Sequence, residues 1–361
     1  MTAVHQFIPT FARRDAVGSH TLQARSVLRD LGYDSEIYAA DAAPDAREFV
    51  KPYQSYRPRA HQPTWLLYQA STGTFMAEWF RARPEPKIVN YHNITPAPFF
   101  EGWEPHVAAE LSAGRHQLQR LASTTDLALA DSRYNATELV DVGYRDVRVA
   151  PILLDVHDFE RAVDERALDA MRRAKPAGSA EWLFIGRLAP NKCQHDIVKA
   201  FAWYRAVFDP GARLRLIGGT SSAAYERTIR TFITEAGLTD AVELTGSVTG
   251  GELSAALTNA DVFVCLSEHE GFCVPLLEAM HERVPVVAYA ATAVPETLGA
   301  AGILLPSKSA ALVAAAVHRV VGDPALANQL RDAGEARLAR FALDRTTQEF
   351  GGAVQSRVEG G

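Results

Sequence analysis

The chain has 361 residues, 37 lysines and arginines against 43 aspartates and glutamates, a formal net charge of −6 and 47% hydrophobic residues. One hydrophobic core rarely serves more than about 250–300 residues, so this length predicts two domains. The negative charge disfavours a nucleic-acid-binding protein, and the apolar content excludes an intrinsically disordered chain. The 3 cysteines include no C-x-x-C pair, so neither a disulfide framework nor a thiolate metal site is indicated.

The hydropathy pattern predicts neither a membrane span nor a secretory signal. No run approaches the about 20 apolar residues that cross a bilayer, and the first residues lack the basic and apolar regions of a signal peptide. We therefore expect a cytoplasmic protein whose cysteines are reduced. A peripheral contact with the inner face of the membrane and the oligomeric state are left open.

Short β-rich runs alternate with amphipathic stretches in the first part of the chain, which is typical of α/β units with parallel sheets. Strands are predicted at Val4–Ile8, Glu36–Ala39, Leu66–Gln69, Lys87–Tyr91, Leu127–Ala130 and Val147–Ala150. Helices are predicted at Thr21–Leu31, Pro105–Leu121 and Asn135–Val142. We predict a Rossmann-like domain over residues 1–160 and a linker over 161–179, where a charged stretch ends in turn-forming residues.

The same alternation returns in the second part of the chain. Strands are predicted at Trp182–Ile185, Leu214–Ile217, Val242–Leu244, Val262–Leu266, Val284–Tyr289 and Ile303–Leu305, followed by helices at Ala310–Val321, Pro324–Phe341 and Thr346–Val358. We predict a second Rossmann-like domain over 180–343 and expect the helix at about 344–361 to pack back on the first. Ligands of such sheets bind outside the carboxyl ends of the strands, in a cleft where two domains face each other.

Several common catalytic motifs are absent from the sequence. Neither the dinucleotide fingerprint G-x-G-x-x-G nor the P-loop G-x-x-x-x-G-K-[ST] occurs, which disfavours hydride transfer and ATP hydrolysis. H-E-x-x-H and G-x-S-x-G are missing as well, which disfavours metalloprotease and α/β-hydrolase chemistry. Other chemistry is therefore to be sought at the strand-to-helix turns.

The most informative turn follows the apolar strand that ends near Leu266. Gly271 suits a tight turn and Pro275 suits the first position of a helix, so the N–H groups of residues 271–274 form a cradle for phosphate oxygens. Glu270 and Glu278 flank this cradle, and carboxylates there are suited to accept hydrogen bonds from the hydroxyls of a sugar and a ribose. The alternative is that both carboxylates are simply solvated.

Glu270 and Glu278, with Gly-Phe-Cys-Val-Pro-Leu-Leu between them, resemble the Glu-x7-Glu motif of the retaining glycosyltransferases of family 4. Further segments stand in the order of that family, namely Phe184–Lys192, Leu216–Gly219, Leu244–Val248, Ala260–Phe263, Pro285–Ala288 and Val294–Glu296. The resemblance implies the GT-B fold, in which two Rossmann-like α/β/α domains face a central cleft.

In the second domain the resemblance implies that Arg187 and Lys192 contact the donor diphosphate, whose developing charge two cations stabilise. Glu278 would bind the ribose hydroxyls and Glu270 the sugar hydroxyls. The remaining donor-binding residues would be Gly186, Val248, Gly271, Phe272, Cys273 and Val274, with the base near Val248. Cys273 stands where relatives often have glycine. Without the resemblance, Arg187 and Lys192 are more simply surface cations.

In the first domain, His92 follows a predicted strand and resembles the family histidine that faces the donor sugar. Taken alone, a histidine in this position is more often structural. Gly18 would belong to the glycine-rich loop over the diphosphate, although the family carries two glycines there and this chain has one. The stretch 52–83 gathers aromatic and arginine side chains, which suits an acceptor site, or else a core with a solvated surface.

The predicted function is transfer of a hexose, with retention, from a UDP- or GDP-sugar to a hydroxyl of a glycan or lipid-linked acceptor. The product would be a bacterial surface polysaccharide or glycolipid, and no metal or other cofactor is required. A GT-B sugar phosphorylase or a nucleotide-sugar epimerase is the alternative within the fold. A carbohydrate-binding protein without catalysis is the alternative from another class.

Overall fold

The computed structural model describes residues 1–13, 15–159 and 161–360. The chain divides into two compact units. The first unit comprises Met1–Glu101, Pro105–Asp155 and Phe341–Gly361, and the second comprises Gly102–Glu104 and Val156–Arg340. The second unit is therefore interrupted in sequence, because three residues of the first half of the chain belong to it.

The described strands and helices follow one another in α/β order. The strands are β1 (Ala3–Phe11), β2 (Ile37–Ala42), β3 (Lys51–Pro52), β4 (Thr64–Ala70), β5 (Lys87–Tyr91), β6 (Leu127–Ala130), β7 (Val147–Val149), β8 (Glu181–Ile185), β9 (Arg213–Ile217), β10 (Val242–Gly246), β11 (Val262–Cys265), β12 (Val286–Tyr289) and β13 (Gly302–Leu305). The helices are α1 (Ala16–Asp30), α2 (Phe75–Arg81), α3 (Pro98–Glu101), α4 (Pro105–Leu121), α5 (Arg133–Asp141), α6 (Glu165–Ala174), α7 (Gln194–Val207), α8 (Ala223–Glu235), α9 (Gly250–Asn259), α10 (Val274–His281), α11 (Val294–Leu298), α12 (Ala310–Gly322), α13 (Pro324–Leu338) and α14 (Leu343–Glu359).

The first unit is built on a sheet whose described strands run in the order β3-β2-β1-β4-β5-β6-β7, with every neighbouring pair parallel. Each face carries its own core. On one face Val4 and Leu67 pack with α1 and α14, and on the other Phe7 and Leu66 pack with α2 and α4. Strands buried on both faces read as continuous apolar runs, which is why the sequence shows them clearly.

The second unit has a described sheet in the order β10-β9-β8-β11-β12-β13, again parallel throughout. Its core is centred on Trp182 and Phe184 of β8, which pack with Phe201 of α7 and Val313 of α12. Helix α6 lies inside the interval 161–179 and belongs to this unit. Its first turn is capped by the Asp164 carboxylate, which accepts hydrogen bonds from two backbone N–H groups.

The predicted α/β class with two parallel sheets is confirmed. The strand β3 was not predicted, because two residues carry no periodic pattern. Among the described residues, no single helix has the length and apolar composition of a membrane span. One pair, Ala310–Gly322 with Pro324–Glu359, meets those two criteria only when joined, and it bends by 95° at the break.

Candidate functional site

The carboxyl ends of β8 and β9 approach so closely that glycine is required there. A Cβ atom on Gly218 would lie 2.1 Å from the carbonyl oxygen of Gly186. Both glycines have positive φ angles, +153° at Gly186 and +146° at Gly218. The Gly186 N–H donates to the Ile217 carbonyl oxygen at 2.8 Å. This glycine pair sets the backbone path from β8 to Arg187 and Lys192 at the carboxyl edge of the sheet.

Lys192 and Glu270 form an ion pair at that edge. The Lys192 Nζ atom lies 2.6 Å from Glu270 Oε1, and the two side chains are 20% and 10% exposed. Burial lowers the pKa of Lys192, but the attraction and hydrogen bond of Glu270, together with contributions from Cys273 and Cys265, outweigh it, so that the pKa lies above its ordinary value. Lys192 therefore stays a cation at neutral pH. Because β8 and β11 are adjacent strands, the pair joins the segments that follow them.

The Glu270 backbone is held from the side of α11. Its N–H donates to the Thr292 hydroxyl at 2.9 Å, and its carbonyl oxygen accepts from the Ala293 N–H at 3.3 Å. The carboxylate is therefore presented from an anchored backbone toward Lys192. Such anchoring keeps a binding group in one position and lowers the entropic cost of ligand binding.

Arg187 presents a second cation after the same strand. Its side chain is exposed, and no side chain in the described part of the chain pairs with its guanidinium. Its carbonyl oxygen accepts from the Gln194 amide at 2.9 Å, which fixes the backbone at this position. Arg187 is thus an exposed cation on a fixed backbone. Both properties suit a side chain that binds the diphosphate of a ligand entering from solvent.

The turn before α10 differs in detail from the prediction. Its left-handed residue is Cys273, with φ +76° and ψ +68°, and Gly271 has no positive φ. The Phe272 carbonyl oxygen accepts from the Thr297 hydroxyl at 2.5 Å. No described residue accepts a hydrogen bond from the backbone N–H of Cys273 or Val274. These two N–H groups point out of the first turn of α10, where an anion is favoured.

Glu278 lies farther along α10 and is buried. Its Oε1 atom is 3.4 Å and 3.5 Å from the two terminal nitrogens of Arg161. Burial raises the pKa of Glu278, and Arg161 opposes that rise. Sequence analysis missed Arg161, because it stood in the predicted linker and its only signal was a cation in a charged stretch.

Val248 follows β10 and lines a cavity of about 460 Å³. The lining of the cavity includes Thr245 and Ser247 from the end of β10 and Ala170 and Met171 of α6. A lining that combines apolar and polar groups suits a flat ring with hydrogen-bonding edges. The cavity lies within the second unit, beside the residue that was expected to meet the base.

The side chain of His92 is held inside the first unit and is 1% exposed. Its Nδ1 atom lies 2.9 Å from Asp131 Oδ2, and its Nε2 atom lies 2.7 Å from Gln69 Oε1. Both ring nitrogens therefore face oxygens of the same unit, and neither is left for a ligand in this conformation. A contact of His92 with the donor sugar stays a prediction. The contacts that His92 makes in this structure are those of a structural histidine.

A buried polar network surrounds His92, and sequence analysis missed this network. The Gln6 amide donates to the Thr21 carbonyl oxygen at 3.1 Å, and the Gln69 amide donates to Gln6 Oε1 at 2.7 Å. The Leu153 N–H donates to His20 Nδ1 at 2.9 Å, and the Asn90 Nδ2 atom lies 2.7 Å from His20 Nε2. The signal that could have revealed this network is the presence of polar residues within apolar strands.

Gly18 lies in the first turn of α1, and its N–H donates to the Asp15 carboxylate at 2.6 Å. A Cβ atom there would lie 1.9 Å from the Ala12 carbonyl oxygen, so only glycine fits. This requirement is a matter of backbone packing. The Asp15 carboxylate already occupies one N–H group at this helix terminus and repels a phosphate. The predicted contact of Gly18 with the diphosphate stays a prediction.

The aromatic stretch 52–83 belongs largely to the core of the first unit. Tyr56, Tyr68 and Phe80 are buried on the face of the sheet that α2 and α4 cover. Arg83 lies over the Tyr56 ring, 5.3 Å from its centroid, and also pairs with Glu85. The core interpretation therefore accounts for most of this stretch, because few of its rings are left to meet an acceptor.

Residues 167–337 match the family model of glycosyl transferases group 1. A D-inositol 3-phosphate glycosyltransferase of Streptomyces bingchenggensis (strain BCW-1) is 26% identical over 302 residues, which cover 80% of this chain and 64% of that protein. The chain therefore spans less than two thirds of the length of this relative. The matched segment contains Arg187, Lys192, Glu270 and Glu278, so these residues lie in the part related to group 1 glycosyl transferases.

Two solved structures share the architecture of the whole chain. Sucrose-phosphate synthase from Thermosynechococcus elongatus superposes with a TM-score of 0.77 at 18% identity, covering 100% of both chains. Anabaena HepE in complex with UDP and glucose superposes with a TM-score of 0.74 at 16% identity, covering 98% of this chain and 100% of that one. These likenesses confirm the GT-B type of fold that the motifs implied.

Proposed function

We propose that this protein is a retaining glycosyltransferase of family 4 that moves a hexose from a nucleotide diphosphate sugar to a hydroxyl acceptor. The observation that carries the proposal is the ion pair of Lys192 with Glu270 at the carboxyl edge of the second sheet. A cation and a carboxylate side by side suit a ligand that has phosphate oxygens next to sugar hydroxyls. The match of residues 167–337 to group 1 glycosyl transferases supports it.

Each group has a role that follows from its chemistry. Arg187 and Lys192 stabilise the negative charge that grows on the leaving diphosphate, aided by the N–H groups of Cys273 and Val274. Glu270 accepts hydrogen bonds from the sugar hydroxyls and thereby orients the anomeric carbon. Because two cations and the helix terminus balance the diphosphate charge, the proposal needs no metal ion.

Retention follows if both partners react on one face of the sugar. The bond from the anomeric carbon to the diphosphate oxygen breaks through an oxocarbenium-like state, and the acceptor oxygen bonds to that carbon on the same face. The acceptor proton passes to the departing phosphate oxygen. This route asks the protein for positioning and charge stabilisation and for no covalent nucleophile.

The second unit would bind the donor and the first unit the acceptor, a glycan or a lipid-linked sugar of a surface polysaccharide or glycolipid. The 460 Å³ cavity at Val248 would take the base. The complex of HepE with UDP and glucose makes UDP the first nucleotide to test and GDP the second. Peripheral contact with a membrane remains part of the proposal for the acceptor.

The proposal is tested by incubating the full chain with UDP- and GDP-sugars and acceptor glycans while measuring nucleotide release. We expect one donor to release nucleotide only with acceptor, and we expect Lys192→Met and Glu270→Gln to reduce turnover at least about 100-fold. Glu335→Gln, which removes an exposed carboxylate paired with Arg283, is the matched control and should keep full turnover.

Other products would identify the alternatives. Sugar phosphate formed from inorganic phosphate would indicate a phosphorylase, and an epimerised donor without acceptor would indicate an epimerase. Glycan binding with no nucleotide release from any donor would indicate a carbohydrate-binding protein. Each of these results would overturn the proposal.

A further inference from the structure

The buried carboxylate of Glu278 has a cationic neighbour that the motif does not contain. Both terminal nitrogens of Arg161 approach Glu278 Oε1, at 3.4 Å and 3.5 Å. Neither nitrogen contacts the other carboxylate oxygen, and no described residue donates a hydrogen bond to Oε2. The ion pair therefore engages one oxygen of Glu278 and leaves the second for a ligand.

Arg161 is held in place by α9. The Ser254 hydroxyl donates to the Arg161 carbonyl oxygen at 3.2 Å. Its side chain runs over Gly250, where a Cβ atom would lie 2.9 Å from Arg161 Cδ. Because glycine leaves this space open, the arginine crosses the first turn of α9 and reaches α10. Its side chain is 30% exposed, whereas that of Glu278 is 10% exposed.

We infer that Arg161 is a positioning residue of the donor site, which holds Glu278 as an oriented carboxylate whose free oxygen accepts the ribose hydroxyls. This inference rests on the proposed function and deepens it. A vicinal diol offers two O–H donors, and an ionised carboxylate offers only acceptors. A protonated carboxyl group would turn one of those acceptors into a donor and would lose a hydrogen bond to the ribose.

The need for a cation follows from the surroundings of Glu278. Burial raises the pKa of this carboxyl group, and the negative charge of Glu282 raises it further. Among the described residues, Arg161 is the one cation that acts against both effects. The turn at Val156–Phe159, α13 and β12 also pack on α10, and none of their described side chains adds a charge effect on Glu278. Removing Arg161 therefore favours the protonated form.

The test measures the affinity of the full chain for UDP and GDP, and for the 2′-deoxy form of whichever binds, by calorimetry at pH 6 and pH 8. For Arg161→Met we expect roughly a tenfold or greater loss of affinity for the ribonucleotide at pH 6 and a smaller loss at pH 8. The loss for the 2′-deoxynucleotide should be at least about threefold smaller at pH 6. Arg161→Lys should restore most of the affinity. Arg227→Met, on the exposed side of α8, is the control and should bind as the native chain does.

Kinetics give a second readout. Arg161→Met should raise KM for the donor at pH 6 more than it lowers kcat, because the arginine acts on nucleotide binding rather than on the reacting bond. In an Arg161→Met, Glu278→Gln double variant, the two losses of affinity should not add, since one residue acts through the other. Thermal unfolding of each variant establishes that it folds.

Equal affinity of Arg161→Met and the native chain at both pH values would overturn the inference. Equal losses for the ribonucleotide and the 2′-deoxynucleotide would overturn it as well, because Arg161 would then act elsewhere on the nucleotide. The two proposals fail in different ways. If the native chain binds no nucleoside diphosphate, the proposed function fails, whereas normal binding that ignores Arg161 contradicts only the present inference.

Discussion

The Lys192 Nζ atom lies 2.6 Å from Glu270 Oε1, which ties the segment after β8 to the segment after the neighbouring strand β11. The pair is largely buried, so each partner compensates the charge of the other in a region that water reaches poorly. In the donor-free chain this contact is structural. In the proposed reaction the same two groups would meet phosphate oxygens and sugar hydroxyls.

Breaking the pair should therefore destabilise the chain. Lys192→Met leaves the Glu270 carboxylate buried without its cation, and we expect a loss of about 3 kcal/mol in the free energy of unfolding. The double variant Lys192→Met, Glu270→Gln should recover most of that loss, because no unpaired charge remains. Urea denaturation of the native, single and double variants measures the effect. A single Lys192→Met variant as stable as the native chain would contradict a buried pair.

Because the backbone at Cys273 is left-handed, we expect glycine to be more stable than alanine at this position. An L-residue in this conformation costs roughly 1–2 kcal/mol that glycine does not incur. Both Cys273→Gly and Cys273→Ala lose the buried sulfur, so we expect the glycine variant to be the more stable by about 1 kcal/mol. Thermal or chemical denaturation ranks the two variants.

Cys265 supplies the matched control for this comparison. It is also buried, but it lies in β11 and has no positive φ angle. Glycine inside a strand is about 0.5–1 kcal/mol worse than alanine, so Cys265→Gly should be the less stable variant there. The same order at both positions would argue against backbone strain at Cys273.

Glu278 should lower stability at neutral pH while it serves ligand binding. Burial raises its pKa in the folded chain above 4.5, so the folded state binds more protons than the unfolded state in that range. The contribution of Glu278 to stability therefore falls as pH rises from about 4.5 through the folded pKa. Glu278→Gln should gain stability relative to the native chain as pH rises from about 4 to about 8, and it should bind the nucleotide poorly. A stability difference that is constant over this range would contradict the prediction.

For the buried His20 of the first unit we expect the opposite dependence of stability on pH from that of Glu278. Burial, with a smaller effect of His92, holds the pKa of His20 well below 6.5. Below pH 6.5 His20 binds a proton in the unfolded chain but not in the folded chain. This residue therefore makes the protein less stable as pH falls. The loss approaches at most about 1.4 kcal/mol per pH unit.

His20→Asn should flatten that slope, because asparagine offers an acceptor to the Leu153 N–H without titrating. Chemical denaturation of the native chain and the variant between pH 7.5 and pH 5 measures the change. Substitution of the exposed His61 by asparagine should leave the slope as it is in the native chain. A His20→Asn variant with the native slope would exclude His20 as its source.

Much of the fold can be predicted from local patterns in the sequence. The bounds Lys87–Tyr91, Leu127–Ala130 and Pro105–Leu121 agree with the predicted ones, and other predicted strand ends differ by a few residues. Parallel strands that are buried on both faces appear as unbroken apolar runs, and amphipathic helices appear as 3.6-residue periods. Both signals lie within one short segment, which is why sequence alone determined the fold class.

The contacts that distinguish this protein depend on segments far apart in the chain. Glu278 and Lys192 were identified by motif, but the pairing of Glu278 with Arg161 and of Lys192 with Glu270 required the folded backbone. His92 was expected at a ligand, and the tertiary structure surrounds it with acceptors of its own unit. Periodicity tells which face of an element is apolar, whereas only the packing of the elements decides which polar groups meet and which of them water still reaches.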